Sequence, residues 1–183
     1  NLLPYIIDYA AGSGHFLTES MHEIQRLIDE KKPDDFINET KKKLKAWQED
    51  HFDWATRYVY GIEKDYRLVK VGKVGCYLHG DGLANVILSD GLANFKNTIE
   101  YKDLLKKTDT NFPKENKQFD IVISNPPYSV SAFKMPARSY YNENDFDLYG
   151  ALTDNSSEIE CLFIERTKQL LKDGGVAGII LPS

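Results

Sequence analysis

The chain has 183 residues, of which 42% are hydrophobic and 28% are charged, a composition that suits one globular domain with a real core. No run of 18 apolar residues occurs, and Cys76 and Cys161 lie far apart outside any Cys-x-x-Cys pattern, so we expect no membrane span, no disulfide framework, no metal site and a reducing cytoplasm. The net charge of −5 argues against a domain that binds nucleic acid only through non-specific attraction between basic side chains and phosphates.

The first predicted elements are a strand at residues 5–9, a small-residue turn at residues 10–14 and an amphipathic helix that begins at His15. Apolar residues at helical spacing predict its buried face, namely Phe16, Met21, Ile24, Leu27 and Ile28. Strand, glycine turn and helix together form the arrangement in which backbone N–H groups at a helix N-terminus meet a ligand.

The turn residues narrow the class of that ligand. A dinucleotide fingerprint places a third glycine three positions after Gly14, where this chain has Leu17. Asp8 at the strand end, followed by Ala10 and Gly12, instead suits S-adenosylmethionine, a cationic ligand without phosphates. A generic strand-to-helix turn explains the same residues, so this pattern alone does not decide.

Residues 31–53 are highly charged with spaced apolar side chains, which predicts an additional amphipathic helix with the lysines of residues 41–43 on its solvated face. A second strand is predicted at residues 57–62. Glu63 follows it, and an acid at the end of this strand is well placed to accept hydrogen bonds from two ribose hydroxyls. A solvent-facing carboxylate at a helix start is the alternative.

A helix is predicted through residues 66–77, and we expect Gly72 and Gly75 within it to mark close packing against the sheet. Asp81 then stands between two glycines, where it either binds an exocyclic amine, such as that of the cofactor adenine, or forms an ordinary turn. Residues 94–117 are polar and irregular, which predicts a surface excursion that carries a short strand or helix.

The most specific stretch is the apolar run at residues 119–124 with Asn-Pro-Pro-Tyr after it. The run predicts a buried parallel strand, and the two prolines end it and stiffen the loop that follows. Open α/β sheets bind their ligands at the carboxyl ends of such strands. Asn125 and the carbonyl of Pro126 offer acceptors for both hydrogens of a planar amino group, and Tyr128 offers an aromatic face for stacking. An ordinary turn is the alternative.

Residues 129–157 are long, polar and aromatic-rich, which predicts either a functional loop over the site or a disordered surface loop. Lys134 and Arg138 are candidates there for phosphate contacts, and the tyrosines for stacking on bases. A helix is predicted at residues 158–172, ended by Asp-Gly-Gly at residues 173–175, and a buried strand at residues 176–181 follows.

Together these motifs resemble a known family. Asp-Tyr-Ala-Ala-Gly-Ser-Gly at residues 8–14, Glu63, Asp81, Asn-Pro-Pro-Tyr at residues 125–128 and Gly-Gly-Val-Ala-Gly-Ile-Ile-Leu-Pro at residues 174–182 occur in the order seen in amino-directed methyltransferases. The chain resembles the catalytic core of adenine-N6 DNA methyltransferases. Within them it is most similar to the modification subunits of type I restriction–modification systems and their fused type II relatives.

The resemblance implies an α/β fold with a doubly wound, mostly parallel sheet, the Rossmann-like core of S-adenosylmethionine-dependent methyltransferases. We expect residues 1–183 to be one such catalytic domain, truncated at both ends. The implied catalytic residues are Asn125, Pro126, Pro127 and Tyr128, and the implied cofactor-binding residues are Asp8, Ala10, Gly12, Gly14, Phe16, Glu63, Asp81, Gly82 and Asn125. The implied partners are double-stranded DNA, a specificity subunit and, as a further option, a restriction (nuclease) subunit.

The implied reaction is in-line displacement at a sulfonium methyl by the amino nitrogen of an adenine flipped from the duplex. The same tetrapeptide resembles that of methyltransferases acting on protein glutamine and on RNA guanine, so those acceptors stay open, as does cytosine-N4. A nicotinamide-dependent oxidoreductase and a non-catalytic cofactor-binding scaffold are further alternatives. The long segment after Tyr128 and the helix predicted after it favour DNA adenine.

Overall fold

The computed structural model describes residues 2–80, 85–128, 131, 141–156 and 158–182. Its strands are β1 (Ile6–Asp8), β2 (Val59–Glu63), β3 (Asn85–Leu88), β4 (Phe119–Ser124) and β5 (Leu171–Ile179). Its α-helices are α1 (His15–Asp29), α2 (Asn38–Glu49), α3 (Ala55–Tyr58), α4 (Tyr66–Leu78) and α5 (Glu160–Leu170), and short 3₁₀ helices lie at Pro33–Asp35, Asp103–Lys106 and Leu148–Ala151. Within the described ranges, none of the helices has the length and apolar character needed to cross a membrane.

The strands form one parallel sheet in the order β3-β2-β1-β4-β5. From β1 the chain passes through α1 to β2 on one side, whereas β4 pairs with the other side of β1. Connections that leave in opposite directions open a crevice at the carboxyl ends of β1 and β4, which is where doubly wound sheets bind ligands. The predicted doubly wound, Rossmann-like α/β class is confirmed.

Two hydrophobic clusters cover the sheet. Ile7 and Tyr60 belong to the cluster under α5, while Val59 belongs to the cluster under α1, α2 and α4. Successive strand residues point to opposite faces, so a short strand that is apolar at every position has a helical layer on each side.

Helix α1 begins at the predicted residue, and its buried face overlaps the predicted one at Met21 and Ile28. Its buried residues are Leu17, Thr18, Met21, Gln25 and Ile28. Phe16 is half-buried and Leu27 is exposed, contrary to prediction. Leu17, the residue that breaks the dinucleotide fingerprint, packs on β2, since its Cδ1 lies 2.6 Å from where a Cβ on Gly61 would stand.

The additional helix predicted in residues 31–53 is confirmed as α2, whereas the second strand begins later than predicted. The N–H of Arg57 donates to the carbonyl of Trp54 over 3.1 Å in a helical turn, so Arg57 belongs to α3. Strand pairing with β1 starts only at Val59, opposite Ile6.

Helix α4 confirms the predicted helix, and one of its two glycines marks a close approach. A Cβ on Gly14 would lie 3.1 Å from the Cα of Gly72, so α4 packs directly on the glycine turn. A Cβ on Gly75 would meet no atom within 4 Å, and the expectation of close packing is wrong there.

The last strand differs most from its prediction. Helix α5 ends at Leu170 and β5 starts at the next residue, so Asp-Gly-Gly at residues 173–175 lies inside the strand. It occupies an irregular step in the register between the pairs Phe119–Leu171 and Ile121–Val176. The prediction of a buried strand is wrong because β5 is the outer strand of the described sheet, and Val176 is 68% exposed.

Two irregular segments, residues 94–117 and residues 141–156, contribute side chains to the hydrophobic core. Their buried aromatic and aliphatic residues are Phe95, Tyr101, Leu105, Tyr141, Phe146 and Tyr149. The predictions of a surface excursion at residues 94–117 and of a disordered loop are therefore wrong for these parts. Buried in the core, Tyr141 and Tyr149 are not placed to stack on bases, contrary to that expectation.

Candidate cofactor and amino-group site

The carboxyl ends of β1 and β4 meet at Asp8 and Ser124, which are 1% and 0% exposed. The Ser124 hydroxyl donates to Asp8 Oδ1 over 2.6 Å, and the backbone N–H of Ala10 donates to the same oxygen over 3.0 Å. Burial raises the pKa of Asp8 to about 6, although both hydrogen bonds oppose the rise; the charge of Glu63 adds to it. A cation bound at this position would favour the ionised carboxylate.

The glycine turn after β1 is hydrogen-bonded to the end of β2. Gly12 and Gly14 have φ values of 54° and 84°, in the left-handed region that favours glycine. The N–H of Gly12 donates to Glu63 Oε2 over 2.8 Å, and the N–H of Asp65 donates to Glu63 Oε1 over 2.7 Å. These bonds orient the Glu63 carboxylate at the sheet edge, and each oxygen keeps a lone pair for a ligand hydroxyl.

A third carboxylate at this edge, Asp90, was missed by the sequence reasoning. It follows β3, and the N–H of Ser89 donates to the Glu63 carbonyl over 3.0 Å, which sets the loop after β3 beside the end of β2. Asp90 Oδ2 accepts from Lys64 Nζ over 2.8 Å. The sequence pattern that could have identified Asp90 is an acidic residue followed by glycine, shortly after the apolar run that forms β3.

Gly91 brings this loop across to β1. A Cβ on Gly91 would lie 2.1 Å from the carbonyl oxygen of Tyr9, a distance that real atoms do not adopt. Only glycine therefore allows the loop after β3 to close one side of the crevice above β1 and β2.

The Asn-Pro-Pro-Tyr loop leaves β4 beside Asp8. Asn125 is exposed at the sheet edge, whereas Pro126 is buried and anchors the loop. Tyr128 is 40% exposed, and its hydroxyl donates to Asn125 Oδ1. The side chains of Asn125 and Tyr128 therefore form one accessible polar and aromatic unit.

The structure brings most of the predicted site residues to one edge. Asp8, Ala10, Gly12, Gly14 and Glu63 gather around the crevice, with Phe16 half-buried in the first turn of α1 and the tetrapeptide of residues 125–128 beside it. Asp81, Gly82, Lys134 and Arg138 lie outside the described residues, and the roles predicted for them stay predictions.

The electrostatic character of the edge follows from Asp8, Glu63 and Asp90. Within the described residues, Lys64 is the only basic side chain that hydrogen-bonds to one of these carboxylates, at Asp90. Such an edge disfavours pyrophosphate and favours hydroxyl, amino and cationic groups.

The sheet order and this edge define the fold class of the protein, a doubly wound Rossmann-like α/β core. The model of the family described as Eco57I restriction-modification methylase matches residues 10–183, and the chain belongs to this family.

The chain is 27% identical over 213 residues to the type II restriction enzyme and methyltransferase RM.Eco57I of Escherichia coli, covering 96% of this chain and 19% of that protein. Among solved structures, it resembles the type I restriction enzyme EcoKI M protein, with a TM-score of 0.58 and 19% identity, over 98% of this chain and 30% of that one. A chain from a type I R-M system gives a TM-score of 0.60 and 21% identity, over 98% and 28% of the two chains. The present chain therefore spans less than a third of each of these relatives.

Proposed function

We propose that this chain is the catalytic core of a DNA methyltransferase of a restriction–modification system, which transfers a methyl group from S-adenosylmethionine to the N6 amino group of a flipped adenine. The observation that carries the proposal is the juxtaposition of the exposed Asn125–Tyr128 pair with the buried carboxylate of Asp8 at the switch point of the sheet. Membership of the restriction-modification methylase family supports the reaction class.

The residues present fit the cofactor. No positively charged side chain among the described residues hydrogen-bonds to Asp8, so a cationic ligand would supply the missing counter-charge. The Glu63 carboxylate, held at the sheet edge, would accept from ribose hydroxyls, and Asp90, two residues past β3, is a candidate acceptor for the amino group of the cofactor adenine. When bound, S-adenosylmethionine supplies an electrophilic methyl on a sulfonium with a neutral thioether as leaving group.

The tetrapeptide residues would prepare the acceptor. Adenine's amino nitrogen is a poor nucleophile because its lone pair is delocalised into the ring. Hydrogen bonds from both of its hydrogens, one to Asn125 Oδ1 and one to the Pro126 carbonyl, would favour a pyramidal nitrogen whose lone pair faces the methyl group. Tyr128 would stack on the flipped base.

Most of the affinity for DNA must be supplied by residues or subunits outside the described core. The net charge of −5 gives little general attraction to phosphates. We propose that Lys134 and Arg138 contact DNA phosphates. We also propose that a specificity subunit or a fused specificity domain recognises the DNA sequence. The relatives support further subunits or domains beside this core, since they include a type I restriction enzyme M protein and a protein described as both restriction enzyme and methyltransferase.

The test is nucleoside mass spectrometry of host DNA from cells that express the full-length parent protein with its genomic neighbours. We expect N6-methyladenine with the wild type and none with Asn125→Ala. Asn38→Ala, an exposed asparagine at the start of α2, is the matched control and should leave the signal intact. Detection of N4-methylcytosine would retain the mechanism but identify cytosine as the acceptor base. Unmodified DNA together with methylated protein glutamine or methylated RNA would overturn the proposal and identify that molecule as the acceptor.

A further inference from the structure

We propose that Ser124 is a positioning residue that holds the Asp8 carboxylate ionised and oriented for the cationic cofactor. This inference rests on the proposed function, in which Asp8 faces S-adenosylmethionine. It assigns a role to a side chain that precedes the Asn-Pro-Pro-Tyr motif and is not part of it.

The position of Ser124 supports this role. It is the last residue of β4 and is 0% exposed, so its hydroxyl must find a partner inside the protein. The partner is Asp8 Oδ1 at 2.6 Å, a separation typical of a hydroxyl that donates to an ionised oxygen. On its other side, the carbonyl of Ser124 accepts from the N–H of Ile180 over 3.1 Å, which fixes the main chain.

Among the groups around Asp8, the hydroxyl of Ser124 is the side-chain group that stabilises its negative charge. Glu63 at the end of β2 adds a like charge, and burial raises the pKa of Tyr9 on the same chain segment to about 12, so Tyr9 stays neutral. In the described residues, Ser124 is the only side chain that donates a hydrogen bond to Asp8, beside the backbone N–H of Ala10. Loss of this hydroxyl would leave the ionised carboxylate with one donor.

The same bond links cofactor binding to the catalytic loop. Ser124 directly precedes Asn125, so the carboxylate proposed to face the cofactor is tied through its Oδ1 to the strand that presents the amino-group acceptor. A change at Ser124 should therefore act first on cofactor affinity and on its pH dependence, through Asp8.

The experiment measures S-adenosylmethionine affinity by calorimetry across about pH 5 to 8 with the full-length protein. We expect the wild-type affinity to rise with pH through about 6, as Asp8 ionises. In Ser124→Ala, the midpoint should move up by about one pH unit, as expected from losing a hydrogen bond to a charged group, so affinity should fall about tenfold at about pH 5 and about twofold near pH 7. Ser20→Ala on α1 is the matched control and should change neither quantity.

A double-mutant cycle separates positioning from packing. At about pH 5, where the effect in the wild-type background is largest, Ser124→Ala in an Asp8→Asn background should change affinity by less than about twofold, because the charge through which it acts is gone. An unchanged pH profile in Ser124→Ala, or an equal loss in both backgrounds, would overturn the role of Ser124 and leave the proposed function standing. A wild-type protein that binds no S-adenosylmethionine would overturn both.

Discussion

At the residue scale, the burial of Asp8 destabilises the ligand-free fold. Because burial raises its pKa from 3.8 to about 6, its contribution to stability is fully present below pH 3.8 and is lost as the pH rises through about 6. At pH 7 the ionised, buried carboxylate therefore lowers stability by on the order of 3 kcal/mol relative to a group with an unshifted pKa.

We accordingly expect Asp8→Asn to stabilise the ligand-free protein at pH 7 while weakening its binding of S-adenosylmethionine. The amide keeps the shape of the side chain and removes the buried charge. Denaturant unfolding checks this: the difference from wild type should be near zero at about pH 4 and grow through pH 6. A variant that is less stable than wild type at pH 7 would contradict the claim that the buried charge of Asp8 destabilises the ligand-free protein.

Tyr128 gives a second prediction at this scale, since its hydroxyl occupies the oxygen that the amino group of adenine would use. Tyr128→Phe keeps the aromatic face and frees Asn125 Oδ1. We expect methylation at least as fast as wild type for Tyr128→Phe, and a loss of about ten- to a hundredfold for Tyr128→Ala, from the removal of about 1–3 kcal/mol of stacking. Single-turnover methylation of an oligonucleotide measures both. Equal losses would mean that the hydroxyl takes part in the reaction.

At the element scale, the loop after β3 depends on one glycine, and the chain supplies a matched control. Gly91→Ala places a Cβ against the Tyr9 carbonyl, so the loop must move. We expect a loss of about 1–3 kcal/mol in the free energy of unfolding and weaker cofactor binding, because Asp90 moves with it.

Gly75→Ala faces open space in the last turn of α4 and should stabilise the protein by up to about 0.5–1 kcal/mol through helix propensity. Thermal denaturation compares the two glycine variants. A neutral Gly91→Ala would mean that the loop accommodates a side chain and does not need this close approach.

The elements also show how far the sequence alone could predict the molecule. Strand β4 and the start of α1 were predicted to the residue, because periodicity and prolines mark regular elements and their ends. Asp90 was missed because a site of this kind is assembled from the ends of strands distant in sequence. That Asp90 lies beside Glu63 becomes apparent only when β2 and β3 pair in register, with Glu63 opposite Leu88.

The irregular segments resisted prediction for a related reason. Tyr141, Phe146 and Tyr149 have no helical or alternating spacing, so they resemble a surface loop, yet they pack under α5. Their burial depends on partners from the loop after β3 and cannot be read from local pattern. The tetrapeptide loop was predictable because its chemistry is local to four consecutive residues.

At the scale of the whole molecule, Arg166 joins these distant parts. It is 1% exposed on α5, its guanidinium lies 4.1 Å from the ring centre of Phe95 and 4.8 Å from that of Phe146, and its Nη2 donates to the Leu92 carbonyl over 2.9 Å. One side chain thus ties the loop after β3 and the segment at residues 141–149 to α5. Burial lowers the pKa of Arg166, and its Nε and Nη1 have no hydrogen-bond partner in the described residues.

We expect Arg166→Ala to destabilise the protein by about 3–5 kcal/mol, because it empties the space between the two rings and releases both segments. Arg166→Met fills that space without unpaired donors and should cost less than about 1.5 kcal/mol, leaving the unpaired Leu92 carbonyl as its main penalty. Urea unfolding gives the two stabilities, and S-adenosylmethionine affinity reports on the loop that carries Asp90. If methionine is as damaging as alanine, the guanidinium joins the segments by its charge and hydrogen bond, and packing between Phe95 and Phe146 is secondary.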